Sequence, residues 1–553
     1  MARSGLHPFP ACGERDGDRG LVPMRIPALA LLWLIVALGT TAFACVQSTA
    51  PVIYVTATPL QLVPTLEATL PNPFIPTPTP SGPTATPLQP TPNPPNQIAL
   101  NAAPIRYEIQ QGDTLSGLAV RFGTTVAEIL RLNPTLNENS VLAVGQVIQM
   151  PGRPQQVTPN FKIIPDSELV YSPALKGFDV AAYIRFQPGF IRVYSENVGG
   201  GRFMSGAEIV QFVAQSASVN PRLLLALLEY RSGWITNPVP SGDALTYPMG
   251  NRSERARSLL SQLDWAAAQL NGGYYGWRTR GMTAIEFADR SRIAIAPDLN
   301  GGTVGVMNYL ARSAVNREQW LRDISPQGFF TTYMALFGDP FRYAVEPLLP
   351  PDLKQPELVL PFPRGETWYL TAGPHGGWDA RQSGWGAVDF APPRPPDSVL
   401  LTQGSCYVSP YFTTSMAAGI VVRSGDGVVV VDLDMDGDER TGWTLVYLHI
   451  ADADRTPAGT VVQAGSPIGR PSCEGLYLNS LGTHVHIARR YNGEWIVADC
   501  PTCLPEVPNV PFVMSGWELK GYVGQVYQGY LQKDGMIRRA EQGRDNPINQ
   551  IQW

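Results

Sequence analysis

Ser480-Leu481-Gly482-Thr483-His484-Val485-His486 sets two imidazoles two residues apart. On a β-strand that spacing puts both rings on one face. Upstream, Tyr447-Leu448-His449 places a third imidazole on another strand, with Leu448 directed to a core. In Ala387-Val388-Asp389-Phe390-Ala391 a carboxylate stands between small residues while Val388 and Phe390 face inward. The segments 387–391, 398–402, 419–422, 428–432, 444–449 and 484–488 all have strand composition, and Gly459, Gly465 and Gly469 punctuate them as turns. The chain has five histidines, and His375, His449, His484 and His486 all fall here, leaving only His7. A chain so sparing of histidine that gathers four of them in one β-rich region points to a metal site.

These segments, in this order, resemble the M23 family of zinc endopeptidases, which have the lysostaphin-type fold. Ala418-Gly419 and the stretch 461–469 (VVQAGSPIG) belong to the same likeness. The resemblance implies an antiparallel β-rich domain over 355–500 and a bound Zn2+ with Asp389 and His486 as ligands. It also implies that His449 and His484 flank the attacking water and steady the tetrahedral intermediate, with peptide stems or cross-links of peptidoglycan as substrate. Zinc would acidify the water and polarise the scissile carbonyl. One position departs from the family pattern. The first ligand is normally a histidine four residues before the aspartate, and here that residue is Trp385, which has no lone pair to offer. The replacement we expect is His375, in Gly373-Pro374-His375-Gly376-Gly377-Trp378, with the glycine pair turning the backbone. His375 and Asp379 also spell HxxxD, but Asp379 lacks the flanking strand pattern of Asp389. If no substitute ligand reaches the site, the domain is a pseudoenzyme and the chain a non-catalytic wall-binding or regulatory scaffold.

Ahead of this domain, residues 165–345 read as mostly helical. The stretch 219–234 (VNPRLLLALLEYRSGW) resembles the catalytic helix of lytic transglycosylases, as 297–303 leading into Met307-Asn308-Tyr309-Leu310 resembles a later helix of that lysozyme-like family. The general acid of that family stands immediately before the serine, where this chain has Arg231. A guanidinium stays protonated at any working pH and cannot shuttle a proton. Glu229 leaves the helix on another side. We therefore read a degenerate, glycan-binding relic, the alternative being a helical spacer.

Residues 105–152 form a separate unit. Tyr107-Glu108-Ile109 alternates as a strand, Leu115, Leu118, Ala119 and Phe122 follow helical spacing, and Thr124 or Thr125 caps a second helix ending at Asn133-Pro134. Val147-Ile148-Gln149-Met150 returns as a strand. This strand–helix–helix–strand unit resembles a LysM domain. That likeness implies a grip on N-acetylglucosamine chains of peptidoglycan through Gly112, Asp113, Thr114, Leu115, Asn133 and Pro134.

The remainder concerns location. Arg25, the apolar run 28–38 and Ala42-Phe43-Ala44-Cys45 make an export signal within residues 1–45. The cleavage fits an ordinary signal peptidase, or a lipobox that would make Cys45 a lipid anchor; an uncleaved signal anchor is the third reading. Each places the rest of the chain outside the cytoplasm, in the cell envelope or secreted. A Pro/Thr-rich stalk spans 46–104, and 501–553 is a C-terminal extension. Cys406, Cys473, Cys500 and Cys503 are an even set, read as two disulfides of open connectivity in an oxidising compartment. Asp432-Leu433-Asp434-Met435-Asp436-Gly437-Asp438 resembles the start of a calcium loop, but its twelfth position is Trp443 where a bidentate Glu is wanted. An acidic hairpin turn is the reading adopted. The net charge of -5 gives no footprint for nucleic acid. With 553 residues, 12 Trp and 53 Pro unevenly spread, the fold class is multidomain α+β: a small βααβ module, a helical domain and an antiparallel β-rich domain.

Overall fold

A computed structural model describes residues 104–122, 126–150, 157–379, 382–476, 480–544 and 546–553. The export segment, the lipobox Cys45, the Pro/Thr stalk and the helix cap at Thr124 or Thr125 lie outside the described residues. No helix among the described residues is long and apolar enough to cross a membrane.

The N-terminal module pairs β1 (Ile105–Glu108) antiparallel with β2 (Val147–Met150), Ile105 opposite Met150 and Glu108 opposite Val147. Between them come α1 (Leu115–Phe122) and α2 (Val126–Leu132). Ile109, Leu115, Leu118, Ala119, Ile129, Ile148 and Met150 form its core, which is the apolar set that helical and strand periodicity require.

The helical part is built on α3 (Gly206–Ala217), α4 (Pro221–Ser232), α5 (Leu259–Thr279), α6 (Gly301–Ser313) and α7 (Phe329–Phe337). Ser205 and Glu208 make a full capping box at the start of α3. Asn220 caps α4, Pro221 occupies its first turn, and Gly233 ends it at φ 69°, the left-handed conformation that glycine adopts most cheaply. Leu223 through Leu228 are all buried, because α4 is wrapped on every side, as a run of apolar residues without periodicity demands. Helices α5 and α6 pack closely through small residues: a Cβ on Gly273 would stand 2.8 Å from the Gly305 Cα.

The β-rich part uses β3 (Trp368–Gly376), β4 (Trp385–Ala391), β5 (Gly419–Gly425), β6 (Val428–Asp432), β7 (Trp443–Leu448), β8 (Val461–Val462) and β9 (Val485–Tyr491). Residues 398–402, expected as a strand, instead belong to a short helix, α8 (Asp397–Gln403). The preceding Pro395-Pro396 and the acid at its first position favour a helix start. Beyond it, β10 (Phe512–Met514), β11 (Trp517–Tyr522), β12 (Gln525–Lys533) and β13 (Met536–Arg539) form a four-stranded antiparallel sheet. The last strand, β14 (Gln550–Ile551), pairs with β3. The main sheet runs β8-β5-β6-β7-β9-β4-β3-β14, with Glu494–Trp495 added beside β9.

The two faces of this sheet bury different partners. Val388, Phe390, Val429, Val431, Leu445, Tyr447, Val485 and Ile487 pack with Phe512, Leu519 and Leu531 of the C-terminal sheet. Ala387, Val428, Val430, Val446, Leu448 and Ala488 join the core of the helical part instead. Asp389 and His486 alternate with the first set, so they lie on the face turned toward the helices. Cys406 is disulfide-bonded to Cys473 and Cys500 to Cys503. The first bond ties the loop after α8 to the segment that leads to His484. The second closes the CxxC pair on itself.

Candidate metal centre

Asp389 sits in β4 directly opposite His486 in β9. His375 arrives from β3, paired with Ala387. The register between β3 and β4 steps from Ala372 opposite Asp389 to His375 opposite Ala387. Three residues on β3 thus match two on β4, a bulge at Gly373-Pro374 that re-aims the histidine. The Gly376-Gly377 pair expected to supply this turn lies just past it. His375 Nε2 is 2.9 Å from His486 Nδ1, and both lie 3.2 Å from Asp389 Oδ1. Trp385, at the position the family gives to histidine, pairs with Gly376, and the Arg280 guanidinium lies 5.9 Å over its ring.

The outer nitrogens fix the tautomers. His375 Nδ1 lies 2.8 Å from the Gly373 carbonyl and His486 Nε2 3.0 Å from that of Gly377. A carbonyl only accepts, so each of these nitrogens carries a proton, and in the neutral ring each inner nitrogen presents a lone pair. Asp389 Oδ1 is buried without a hydrogen-bond partner. Three lone pairs therefore face one another at 2.9–3.2 Å, an arrangement that a shared cation resolves. Four ligands about 2.0 Å from a tetrahedral zinc stand about 3.3 Å apart, so this trio fits zinc. Burial pushes the Asp389 carboxyl up, but the His375 and His484 imidazoles outweigh it and hold it well below the usual carboxylate range. Burial pushes His486 down.

His449 and His484 stand beside the trio, their ring centroids 4.5 Å apart. His484 Nε2 is 3.7 Å from Asp389 Oδ2, and its Nδ1 donates to the Gly482 carbonyl at 2.8 Å. His449 closes β7 at φ 64° and turns Nδ1 toward the Glu474 carbonyl at 3.3 Å. Burial, with the neighbouring imidazoles of His484 and His486, drives His449 down to about 3. The ring is held in its neutral form.

Asp379 is elsewhere employed. Its carboxylate accepts from the backbone N–H groups of Gln382 and Ser383, closing a turn, and it is not part of the trio. Sequence reading missed Tyr527, whose ring lies 4.6 Å from that of His375. Tyr527 holds φ 69° on β12, and no motif ties the C-terminal hairpin to the site.

In the N-terminal module Gly112, Thr114 and Pro134 are exposed. Leu115 and Asn133 are buried. Asn133 donates from Nδ2 to the Gln149 carbonyl at 2.6 Å and accepts from the Gln149 N–H at 2.7 Å. Asp113 accepts from Tyr107 Oη at 2.7 Å, and Thr114 Oγ1 caps the Gly117 N–H.

In α4, Arg231 donates to the Ser313 carbonyl, and Glu229 accepts from the Ile235 and Thr236 N–H groups. Both side chains are spent on structure. Asp432, Asp434 and Asp436 also bring carboxylate oxygens within 4.8 Å of one another. Asp432 accepts from the N–H groups of Asp434 and Gly437, and Asp436 from that of Asp438, the bonding of an acidic turn.

The sequence matches the family described as LysM domain over residues 107–151 and the family described as LasA, N-terminal domain over residues 162–351. An endolysin of Bacillus phage PZA is 38% identical over 47 residues, which are 8% of this chain and 18% of the endolysin. Among solved structures, the M23 metalloprotease pseudoalterin from the deep sea is 20% identical, covering 34% of this chain and 96% of that one, with a TM-score of 0.24. The catalytic domain of lysostaphin from Staphylococcus simulans is 19% identical, covering 24% and 86%, with a TM-score of 0.16. Residues 107–151 are thus similar to LysM domains and residues 162–351 to the LasA N-terminal domain. The helical segment's match is to the LasA family; its transglycosylase likeness rests on the α4 and α6 stretches.

Proposed function

We propose that this chain is an exported, wall-bound zinc endopeptidase that hydrolyses peptide stems or cross-links of peptidoglycan. The observation that carries the reading is the convergence of His375 Nε2, Asp389 Oδ1 and His486 Nδ1, each ring locked by a backbone carbonyl. Zinc bound there would supply a Lewis acid for the scissile carbonyl and lower the pKa of the attacking water. His449, neutral and with its Nδ1 proton given to the Glu474 carbonyl, keeps Nε2 as the acceptor for a proton. His484, oriented by the Gly482 carbonyl, presents its Nε2 beside Asp389 and steadies charge on the substrate oxygen. The LysM domain would hold glycan strands through Gly112 to Leu115 and the Asn133-Pro134 turn, raising the local concentration of stems. Residues 1–45 would direct export, with Cys45 as lipid anchor or the chain released after cleavage.

The test is zinc content and stem-peptide cleavage by the purified chain. His375→Ala should abolish both, whereas Asp379→Ala should leave zinc bound. A wild-type chain that binds walls but holds no zinc and cuts no stem is the non-catalytic scaffold instead.

A further inference from the structure

The segment that joins His375 to Asp389 is held from outside its own domain. Arg280, which follows α5, donates from Nη1 to the Ser383 carbonyl at 3.0 Å and from Nη2 to the Gln382 carbonyl at 2.9 Å. The same Nη2 reaches the Gly272 carbonyl of α5 at 3.3 Å, so one planar fork bridges the helix to the connector. Helix and connector also meet directly: a Cβ on Gly272 would stand 2.5 Å from Gln382 Oε1. One step closer to the ligands, Trp378 donates from Nε1 to Asp264 Oδ1 of α5 at 3.4 Å and meets Phe212 of α3 edge-on at 6.0 Å. The residue before it, Gly377, supplies the carbonyl that fixes His486. The connector therefore receives its position from α3, α5 and Arg280; it joins His375 to Asp389, and its Gly377 carbonyl fixes His486.

We infer that the helical domain is a positioning domain for the metal centre, and that Arg280 is the positioning residue through which it sets zinc affinity. This rests on the zinc reading of the His375, Asp389 and His486 trio. It gives the LasA-type segment a task that needs neither a catalytic acid nor a glycan contact. Arg280 touches no ligand. It acts through the carbonyls of Gln382 and Ser383 and through the ring of Trp385, which fills the position where a family ligand is absent.

The test uses the full chain, with zinc affinity read by competition against a chromophoric chelator and ligand geometry read from the visible bands of the cobalt-substituted protein. Arg280→Ala should weaken zinc by about tenfold or more, the scale of supporting-residue losses at metal sites, and shift the cobalt bands. Arg280→Lys should recover only part of the affinity, because an ammonium cannot span both carbonyls as a planar fork does. Arg292→Ala, which breaks the exposed pair with Glu286 in the same domain, should change neither. Wild-type affinity and bands in Arg280→Ala overturn the inference. If that variant does not fold, Arg280→Lys decides: weakened zinc supports the inference and wild-type affinity overturns it. A wild-type chain that takes up no zinc overturns the metal reading and this inference together.

Discussion

Gly377→Ala puts a methyl group where the structure has no room for one, and the consequence reaches the metal centre. The added Cβ would stand 2.3 Å from Trp495 Cε3 and 2.5 Å from Trp495 Cδ2. Carbon atoms rest at about 3.5 Å or more, so about 1.2 Å of movement is required. Trp495 cannot provide it. It is buried, its backbone N–H donates to Tyr275 Oη at 2.9 Å, and its Nε1 donates to the Ala217 carbonyl at 3.2 Å. The backbone at 377 must move instead, taking with it the carbonyl that lies 3.0 Å from His486 Nε2. A shift of that size carries the bond past the range of about 2.7–3.2 Å in which N–H···O bonds hold. His486 then loses its fixed tautomer and ring orientation. Zinc affinity should fall about 10- to 100-fold, and overpacking should cost about 1–3 kcal/mol of stability. Chelator competition and urea unfolding measure the two. Gly425→Ala, with nothing within 4 Å of its Cβ and no left-handed φ, is the matched control. Unchanged zinc affinity in Gly377→Ala would refute the claim that this carbonyl holds the ligand.

Other outcomes follow from the same geometry. His449→Ala should keep zinc and lose cleavage by about 100-fold or more, the contribution of a positioned base; equal loss of zinc would make His449 a ligand instead. Deleting 105–152 should release the soluble protein from isolated walls, and undiminished pull-down would move wall binding elsewhere in the chain. The helical domain should release no anhydro-sugar from glycan strands, since Arg231 and Glu229 are spent on structural bonds; release that Glu229→Gln abolishes would contradict this. Burial and the Asp166 carboxylate push Glu346 up to about 8 from its ordinary 4.5. The folded chain thus keeps a proton that the unfolded chain sheds. The stability this gives is complete below the ordinary value and lost as pH rises through about 8. Calorimetry should show the unfolding temperature falling over that window and the slope flattening in Glu346→Gln.

How far the sequence could be read depended on whether the signal was local. His486 and the inward Val388 and Phe390 declare themselves by a period of two, and the structure puts them on strands in that sense; His484 falls one residue before β9, and His449 lies just past β7 at φ 64°, where a left-handed turn and not the strand period aims its ring. The LysM unit was equally plain, because its helices and turns are all encoded within forty-odd residues. The stretch 398–402 misled because three apolar residues cannot tell a short helix from a strand, and the deciding Pro395-Pro396 lies just outside it. The burial of Asn133 was masked by its place in a motif, whereas that of Leu115 follows from the apolar stripe of the helix it opens. Contacts between distant segments were beyond any local pattern. Nothing near Tyr527, Arg280 or Trp495 announces that they converge on the surroundings of His375 and His486.

On the proposed reading His375 takes the ligand position left vacant at Trp385, and the register of β3 is what brings it there. Trp385, Ala387 and Asp389 alternate along β4 and share a face, so a residue at 385 is two pleats from the carboxylate. His375 pairs with Ala387, the intermediate pleat, and therefore approaches Asp389 on a diagonal across the strands, within reach of a long side chain. The register has already slipped by one between Leu370 and Ala372; without a second slip it would continue from Ala372 opposite Asp389 to Pro374 opposite Ala387, and His375 would point to the other face. The extra residue at Gly373-Pro374 corrects that by one position. A proline in the interior of a sheet strand is tolerated at a bulge or edge, so Pro374 itself was the sequence's sign that β3 is irregular there. The C-terminal sheet makes the bulge permanent: a Cβ on Gly373 would meet the Gly529 N at 2.6 Å, and one on Gly529 would meet Pro374 Cδ at 2.7 Å. The hairpin beyond residue 512 is thus part of what keeps His375 on the metal face. A chain shortened before β10 would keep all three ligands and lose the register that brings them together, so it should bind walls undiminished while losing zinc. Zinc retained at full affinity by such a chain would show that β3 and β4 hold the bulge by themselves.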